Sequence, residues 1–311
     1  MKYKRLFILL ITIAGLATIL LVCLLILKGQ SPFWDNTVYS EKYSENSDSS
    51  SKSDGDNDKV GEDNGLLVSH YIDVGQGDSV FIELPNGECM LIDAGEDRDA
   101  KAVLDCIDGL GYTYIDYLVV THPHADHIGG METVLNTYEI GQMFMPKTDC
   151  DTKTYESLLE TVADKDMSIT QAKAGVSILD EGNLTATIIS PRYEYADMNN
   201  MSAVIMLSYA ETSFLYMGDA ETDAEYDIKY DVSCDVVKVG HHGSETSSSK
   251  KFIKRTGADY AIISVGEGNE YGHPSNDVIK LWEKHGAKVY RTDKCGTVTV
   301  QSDGNKVEIR W

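Results

Sequence analysis

One segment restricts the possible folds of this chain more than any other. The short, largely apolar run Ile115-Asp116-Tyr117-Leu118-Val119-Val120 passes without a break into Thr121-His122-Pro123-His124-Ala125-Asp126-His127-Ile128-Gly129-Gly130. The first part has the length and β-branched character of a buried strand. The second crowds three imidazoles and a carboxylate into one loop, and these are ligands for Zn²⁺ and similar divalent cations. In a tight turn, His122 and His124 can point to one side while Asp126 and His127 reach a second position nearby. That geometry suits two adjacent metals, and the fold has to bring further ligands to meet it.

Two other strand ends offer such ligands. Five of the eight histidines fall in two clusters, and the second cluster, His241-His242-Gly243-Ser244, follows the apolar run CDVVKVG. Leu215-Tyr216-Met217-Gly218-Asp219-Ala220 sets a carboxylate just past another apolar run, and one carboxylate can bridge metals about 3.5–4 Å apart. Around these segments the pattern reads as strands with helices interspersed. Strands are expected at 66–74, 80–84, 89–94, 115–120, 184–190, 203–209, 213–217, 235–239, 259–265, 288–292, 296–301 and 305–311, with a Pro-Asn-Gly turn at 85–87. Helices are expected over 100–111, 131–139, 154–165 and 276–287. This is a layered α/β domain occupying residues 67–311, long enough for one substantial core.

The rest of the chain differs in texture. Residues 1–30 hold Lys2, Lys4, Arg5 and Lys28 and no acid, and 6–27 is an uncharged apolar run. At 1.5 Å per residue it spans about 33 Å, enough for a bilayer core. It is longer than the apolar region of a cleavable signal peptide, and no A-x-A follows it; Cys23 has Val22 before it, where a lipoprotein signal needs a small residue. The expectation is an N-terminal transmembrane helix over 1–30, with the basic end in the cytoplasm and the rest of the chain outside: a single-pass protein of the cell membrane whose catalytic domain is extracytoplasmic. Residues 31–66 carry eight Ser, nine acids and three bases without apolar periodicity, the composition of a disordered acidic linker.

The chain carries 27 Lys+Arg against 50 Asp+Glu, a net charge of −23, and 41 of the acids lie in 67–311. A domain so acidic is a poor nonspecific binder of nucleic acid; a phosphate would need a local positive site, such as a metal. Of the cysteines at 23, 89, 106, 150, 234 and 295, none forms a C-x-x-C pair, and Cys89, Cys106 and Cys234 read as buried small hydrophobes.

In their order, Leu91-Ile92-Asp93-Ala94-Gly95, the His-Asp-His loop, Gly218-Asp219-Ala220 and His241-His242-Gly243-Ser244 resemble the metallo-β-lactamase fold. His70-Tyr71-Ile72-Asp73-Val74-Gly75-Gln76-Gly77-Asp78-Ser79, Asn199-Asn200-Met201-Ser202 and Tyr271-Gly272-His273-Pro274 are similar to the soluble hydrolase-like domain of ComEC-type competence proteins. The resemblance covers 67–311. It implies an αββα sandwich with two divalent metal ions at one edge. His122 and His124 would hold the first metal, Asp126 and His127 the second, and Asp219 would bridge. One of His241 and His242 would be a further ligand. Asp93 would support the metal loop without binding metal, and Asn200 and Ser202 would do so from the segment where many relatives place another His. Because Asn and Ser are weaker ligands than imidazole, the first metal would be loosely held, or Mn²⁺ instead of Zn²⁺. The multi-helix channel of full ComEC-type proteins has no counterpart in the sequence.

The expected chemistry is hydrolysis by metal-activated water. Asp126 or Asp219 would take the proton, and His273 would serve the leaving group. Ser244, Lys250 and Lys251, with Lys254 and Arg255 nearby, are candidates to receive a substrate phosphate. The main expectation is a membrane-anchored phosphodiesterase or nuclease of the ComEC hydrolase-domain type acting on DNA or another phosphodiester. The alternatives are hydrolysis of a cell-envelope phosphodiester, lactone or other ester, and a non-catalytic module that captures nucleic acid.

Overall fold

The computed structural model describes residues 65–311. It opens with β1 (Leu67–Tyr71), β2 (Val80–Glu83), β3 (Cys89–Ile92), β4 (Tyr114–Val119), β5 (Glu139–Met145) and β6 (Ile169–Gln171). A second group follows: β7 (Val176–Glu181), β8 (Leu184–Ser190), β9 (Val204–Tyr209), β10 (Thr212–Tyr216), β11 (Val236–Lys238), β12 (Tyr260–Ile263) and β13 (Lys288–Arg291). The last two strands, β14 (Val298–Ser302) and β15 (Val307–Arg310), return to the first group. The first sheet runs β15-β14-β1-β2-β3-β4-β5-β6 and the second β13-β12-β11-β10-β9-β8-β7.

The alternation of strand side chains explains how the sheets stack. Phe214 and Tyr216 of β10 and Val236 of β11 join one buried cluster with Ile82, Met90, Ile92 and Val119 of the first sheet. Their neighbours Leu215 and Val237 face the other way, into a cluster with Ala224, Phe252, Ile253, Val278 and Trp282. Successive residues of a strand point to opposite faces, so the first cluster is the inter-sheet core and the second is the seam with the outer helices. Those helices are Thr222–Asp227, Lys250–Thr256 and Asn276–Lys284. Ala100–Leu110, Met131–Thr137 and Lys153–Asp164 bury Val103 and Ile107, Val134 and Leu135, and Leu158 and Val162 respectively. The αββα sandwich is therefore present.

The expected transmembrane helix is not part of it. Among the described residues no helix is long and apolar enough to cross a membrane. The longest, Lys153–Asp164, has 12 residues and an exposed polar face, well short of the ~20 apolar residues a bilayer requires. The apolar run 6–27 lies outside the described residues, as do the segment boundaries 1–30 and 31–66 apart from residues 65 and 66. The fold is corrected to the sandwich alone. The membrane as partner, the single-pass location and the extracytoplasmic placement are withdrawn with the helix.

Local differences have plain causes. The helix expected over 131–139 ends at Thr137, and β5 starts at Glu139. The exposed polar positions of β5 mask its strand pattern, since its burial begins only at Met143. The short strands β6 and β7 were not expected. Cys89 and Cys234 are buried as expected, whereas Cys106 is half-buried, and all five cysteines among the described residues are free thiols.

The parallel strands β3 and β4, and β10, β11 and β12, all send their carboxyl ends to the same edge of the sandwich. Asp93, Thr121, Asp219, His241 and Ser264 each follow one of those strands by one to three residues, which is how distant parts of the chain come together.

Candidate metal centre

The first half of the site is a loop resting on a buried carboxylate. After β4 the backbone stays extended to His124, whose carbonyl accepts the N–H groups of His127 and Ile128, both at 3.0 Å, to start the helix Ala125–Ile128. Asp93 lies beneath, fully buried, with a left-handed φ of 57°. Its Oδ1 accepts the Thr121 N–H at 2.8 Å, and its Oδ2 accepts the Thr121 hydroxyl at 2.6 Å and His127 Nδ1 at 2.7 Å. A carboxylate only accepts, so His127 carries its proton on Nδ1 and turns a free Nε2 into the site. Glycine at 130 is required by close approach: a Cβ there would collide with the Ala94 carbonyl.

The second half is assembled from the other sheet. Asp219, 2% exposed, donates its N–H to Ser202 Oγ at 3.0 Å. Asn200 Oδ1 accepts the N–H groups of Glu221 at 3.2 Å and Ala224 at 3.1 Å, capping the helix that follows Asp219. After β11, His241 and His242 both take left-handed φ values, 48° and 51°. Such backbone costs about 1–3 kcal/mol at a non-glycine residue, and here it splays the two imidazoles. His242 donates Nδ1–H to the Ser264 carbonyl at 3.0 Å, and its Nε2 lies 3.1 Å from Asp126 Oδ2 and 3.5 Å from Asp219 Oδ2. His241 meets Glu221 Oε1 at 3.1 Å and Thr246 Oγ1 at 3.0 Å through Nδ1, and its Nε2 lies 3.8 Å from Asp219 Oδ2.

Asp219 is thus ringed by imidazole Nε2 atoms. His122 Nε2 is 3.8 Å from its Oδ2 and 3.0 Å from His124 Nδ1; His127 Nε2 is 3.3 Å from its Oδ1. Ligand atoms of Asp126, His127, Asp219 and His242 all lie within 4.8 Å of one another. His127 Nε2 and Asp219 Oδ1 are buried and make no hydrogen bond, and such orphaned atoms cost about 1–3 kcal/mol each. Burial disfavours charge at His127 and His242, yet the carboxylates around them hold both rings well above the usual imidazole range. Burial likewise opposes ionisation of Asp219, and His242 and His127 overcome it. Imidazole nitrogens aimed inward, orphaned atoms and carboxylates that draw positive charge fit divalent cations, which would displace the ring protons.

The remaining sequence candidates lie around this cluster. His273 is half-buried at the rim, its ring 5.5 Å from that of His241, and burial together with its histidine neighbours lowers its pKa, so it rests neutral. Ser244 is buried, and its hydroxyl meets Thr246 Oγ1 at 3.0 Å, within the turn after the His pair. Lys250 and Lys251 are exposed, and the Lys251 ammonium sits 4.6 Å above the Tyr226 ring. Sequence reasoning overlooked Thr121, Glu221 and Ser264, which orient the ligands, and the buried pair Asp78–Lys238. Lys238 had a signal, as the lone charge inside the apolar run VVKV.

Comparison with known proteins agrees with this geometry. The profile of the Metallo-beta-lactamase superfamily matches residues 72–267. ComE operon protein 3 of Bacillus subtilis (strain 168) is 31% identical over 248 residues, covering 73% of this chain and 32% of its own length. Recombination protein 2 of Haemophilus influenzae is 28% identical over 246 residues, covering 77% of this chain and 29% of its own. The chain therefore spans about a third of the length of these relatives. Among solved structures, the metallo-beta-lactamase fold protein YhfI from Bacillus subtilis matches with a TM-score of 0.51 at 10% identity, over 76% of this chain and 100% of that one, a likeness of fold alone. With His and Asp ligands clustered on this fold, the chain is a metal-dependent hydrolase. The superfamily match extends over more than half of its residues and takes in the cluster of Asp126, His127, Asp219 and His242, so the chain belongs to the metallo-beta-lactamase superfamily.

Proposed function

We propose that this chain hydrolyses a phosphodiester or a related ester at a centre of two divalent cations, Zn²⁺ or Mn²⁺. The observation that carries the reading is the convergence of four imidazole Nε2 atoms and the Asp126 carboxylate on Asp219. The expectation of a membrane-anchored enzyme is corrected here as well, because no described helix can supply the anchor. The hydrolase reading stands without it.

In this reading Asp126, His127 and His242 would hold one cation and His122, His124 and His241 the other, with Asp219 available to both. Both members of the His pair then serve, one per cation, and His241 replaces the imidazole that the Asn199–Ser202 segment lacks. Bound cations supply Lewis acidity and make water a nucleophile at neutral pH. The protein's own groups do the rest. Asp126, 26% exposed in its side chain, is the ligand carboxylate that water can reach, but His127 and His242 hold its pKa well below the ordinary carboxylate range, which makes it a weak proton acceptor. Asp219, buried and fixed by Ser202, keeps the cluster's geometry. His273 stands at the rim as a neutral ring that can position the leaving group by a hydrogen bond. Phosphodiester chemistry is favoured because bound cations would offset the repulsion that this acidic domain otherwise presents to a phosphate.

Affinity with ComEC-type competence proteins is the finer part of the proposal. It is supported by the 31% and 28% identities to proteins named for the ComE operon and for recombination and by the shared His70–Ser79, Asn199–Ser202 and Tyr271–Pro274 segments. The test is metal analysis of the chain with turnover of bis(p-nitrophenyl)phosphate, DNA, RNA and a lactone under Zn²⁺ and Mn²⁺. The expected result is phosphodiester cleavage that disappears in the His124→Ala, Asp219→Ala double variant. A chain without bound metal, or cleavage that survives the double variant, overturns the reading.

A further inference from the structure

A buried ion pair lies behind His242, and nothing in the proposed hydrolysis uses it. Lys238 is 1% exposed and Asp78 is 3% exposed. Lys238 Nζ lies 2.6 Å from Asp78 Oδ2 and donates to the Val239 carbonyl at 2.9 Å. Taking two charges out of water is expensive, and replacing such a pair with apolar groups is often neutral or stabilising. A pair kept at that cost among the buried Val236, Val237 and Val239 calls for a reason beyond stability.

The surroundings supply one. The other oxygen of Asp78, Oδ1, is buried without a hydrogen-bond partner and lies 3.3 Å from His242 Nδ1. That nitrogen already faces the Ser264 carbonyl at 3.0 Å. Two acceptors on one side of the ring favour the proton on Nδ1, so that Nε2, which faces Asp126 and Asp219, is the nitrogen a cation would take. The backbone of Asp78 works on the same problem from the other side: its N–H donates to the Asp126 carbonyl at 3.1 Å, and its carbonyl accepts the Gly95 N–H at 2.9 Å. Gly77 permits that approach, since at its φ of 146° a Cβ would collide with the Asp126 carbonyl. Lys238 stands on β11, the strand that leads directly to the His pair. Asp78, Asp93 and His127 also form a compact group of ligand atoms. The Lys238 ammonium already neutralises Asp78, however, and Asp93 is occupied by Thr121 and His127, so that group is not a separate cation site.

We propose that Asp78 and Lys238 are positioning residues: Asp78 orients the His242 ring and ties it to the Asp126 loop, and Lys238 holds Asp78 in place for that task. The proposal rests on the two-metal reading above. The pair binds no substrate and touches no reacting atom.

The experiment titrates the full chain, stripped of metal, with Zn²⁺ and with Co²⁺, following heat and Co²⁺ absorption, and compares wild type with Asp78→Asn and with the charge-free double variant Asp78→Asn, Lys238→Met. The wild type should take up two equivalents. The variants should lose about 10–100-fold in affinity for one equivalent and keep the other, the usual range for a lost partner behind a metal-binding histidine. The double variant covers the case in which Asp78→Asn, leaving Lys238 unpaired, fails to fold. Long-range ¹H–¹⁵N spectra of the histidines in the metal-loaded wild type add a readout that needs no variant: His242 should be protonated on Nδ1. Two equivalents bound at wild-type affinity by the double variant, or His242 protonated on Nε2, would overturn the positioning role while leaving the hydrolase reading intact. A wild type that binds no metal would instead overturn the hydrolase reading.

Discussion

The loop at 121–130 and the pair at 241–242 present the same kind of ligand, yet they are built by opposite means. The first is stapled locally. It leaves β4, wraps into a one-turn helix and rests on Asp93, which comes from the neighbouring parallel strand and satisfies Thr121 and His127 at once. The second depends on the whole sandwich. Its two rings are held by Glu221, Thr246 and Ser264 from three separate segments, with Asp78 of the loop between β1 and β2 behind. The two halves meet at Asp219. A motif compact in sequence can therefore be read as a motif, while a site half made by topology shows only its ligands and hides their supports.

Breaking the shared element should erase the comparison and give the largest effect. Asp219→Ala removes the carboxylate toward which both halves point, and kcat/KM for bis(p-nitrophenyl)phosphate should fall by roughly 10³-fold or more, several kcal/mol of transition-state stabilisation. Metal analysis should show loss of bound ion in the same protein. Stripping metal from the wild type with a chelator should likewise abolish turnover, lower Tm, and be reversed by added Zn²⁺ or Mn²⁺. An unchanged Tm with restored activity would mean that the ions act without bracing the fold.

The next effect separates the halves. Asp93→Ala leaves the Thr121 N–H, the Thr121 hydroxyl and His127 Nδ1 buried without their acceptor, and breaking a buried charged pair costs about 3–5 kcal/mol. Denaturant unfolding should show that loss in the metal-free chain. Gly77→Ala acts on the link between the halves, through a positive φ and a collision with the Asp126 carbonyl; about 1–3 kcal/mol is expected from the strain, with weaker metal binding. If Gly77→Ala left metal affinity unchanged, the 75–79 turn would be a spectator and not a clamp.

This contrast also explains what could be read from the chain alone. The layered α/β architecture and most of its strands were legible because alternation is a local property, and the resemblance added the sandwich; Asp126, His127, Asp219 and His242, which gather in one cluster, could be picked out by strand-end position and ligand chemistry. His241 and His242 could not be told apart, since their difference lies in two left-handed φ values and in Ser264 and Glu221, 22 residues downstream and 20 upstream. β5 escaped because its exposed first half lacks the alternation of a half-buried strand. Asp78 sits in an evident Gly-Gln-Gly-Asp turn, but its partner Lys238 is 160 positions away in sequence, and no periodicity connects them. The apolar run at 6–27 has the composition of a membrane span, yet the described structure contains none.

The smallest effect probes how far the second half leans on distant supports. Glu225 is buried in the helix after Asp219, and its carboxylate accepts the N–H groups of Ser248 and Ser249, fastening the segment that follows the His pair. Burial raises its pKa above the ordinary 4.5, against the pull of Ser249, Ser248 and Arg255. The folded chain therefore holds this proton more tightly than the unfolded chain does. Between pH 4.5 and the raised value the folded state binds more protons, so this group's contribution to stability is greatest below that window and declines as pH rises through it. Glu225→Gln removes the titration. Unfolding free energies of wild type and variant, measured at fixed metal from pH 4 to 8, should diverge in slope, the wild type falling relative to the variant with increasing pH. Parallel curves would show that the Ser248–Ser249 fastening takes up no proton on folding.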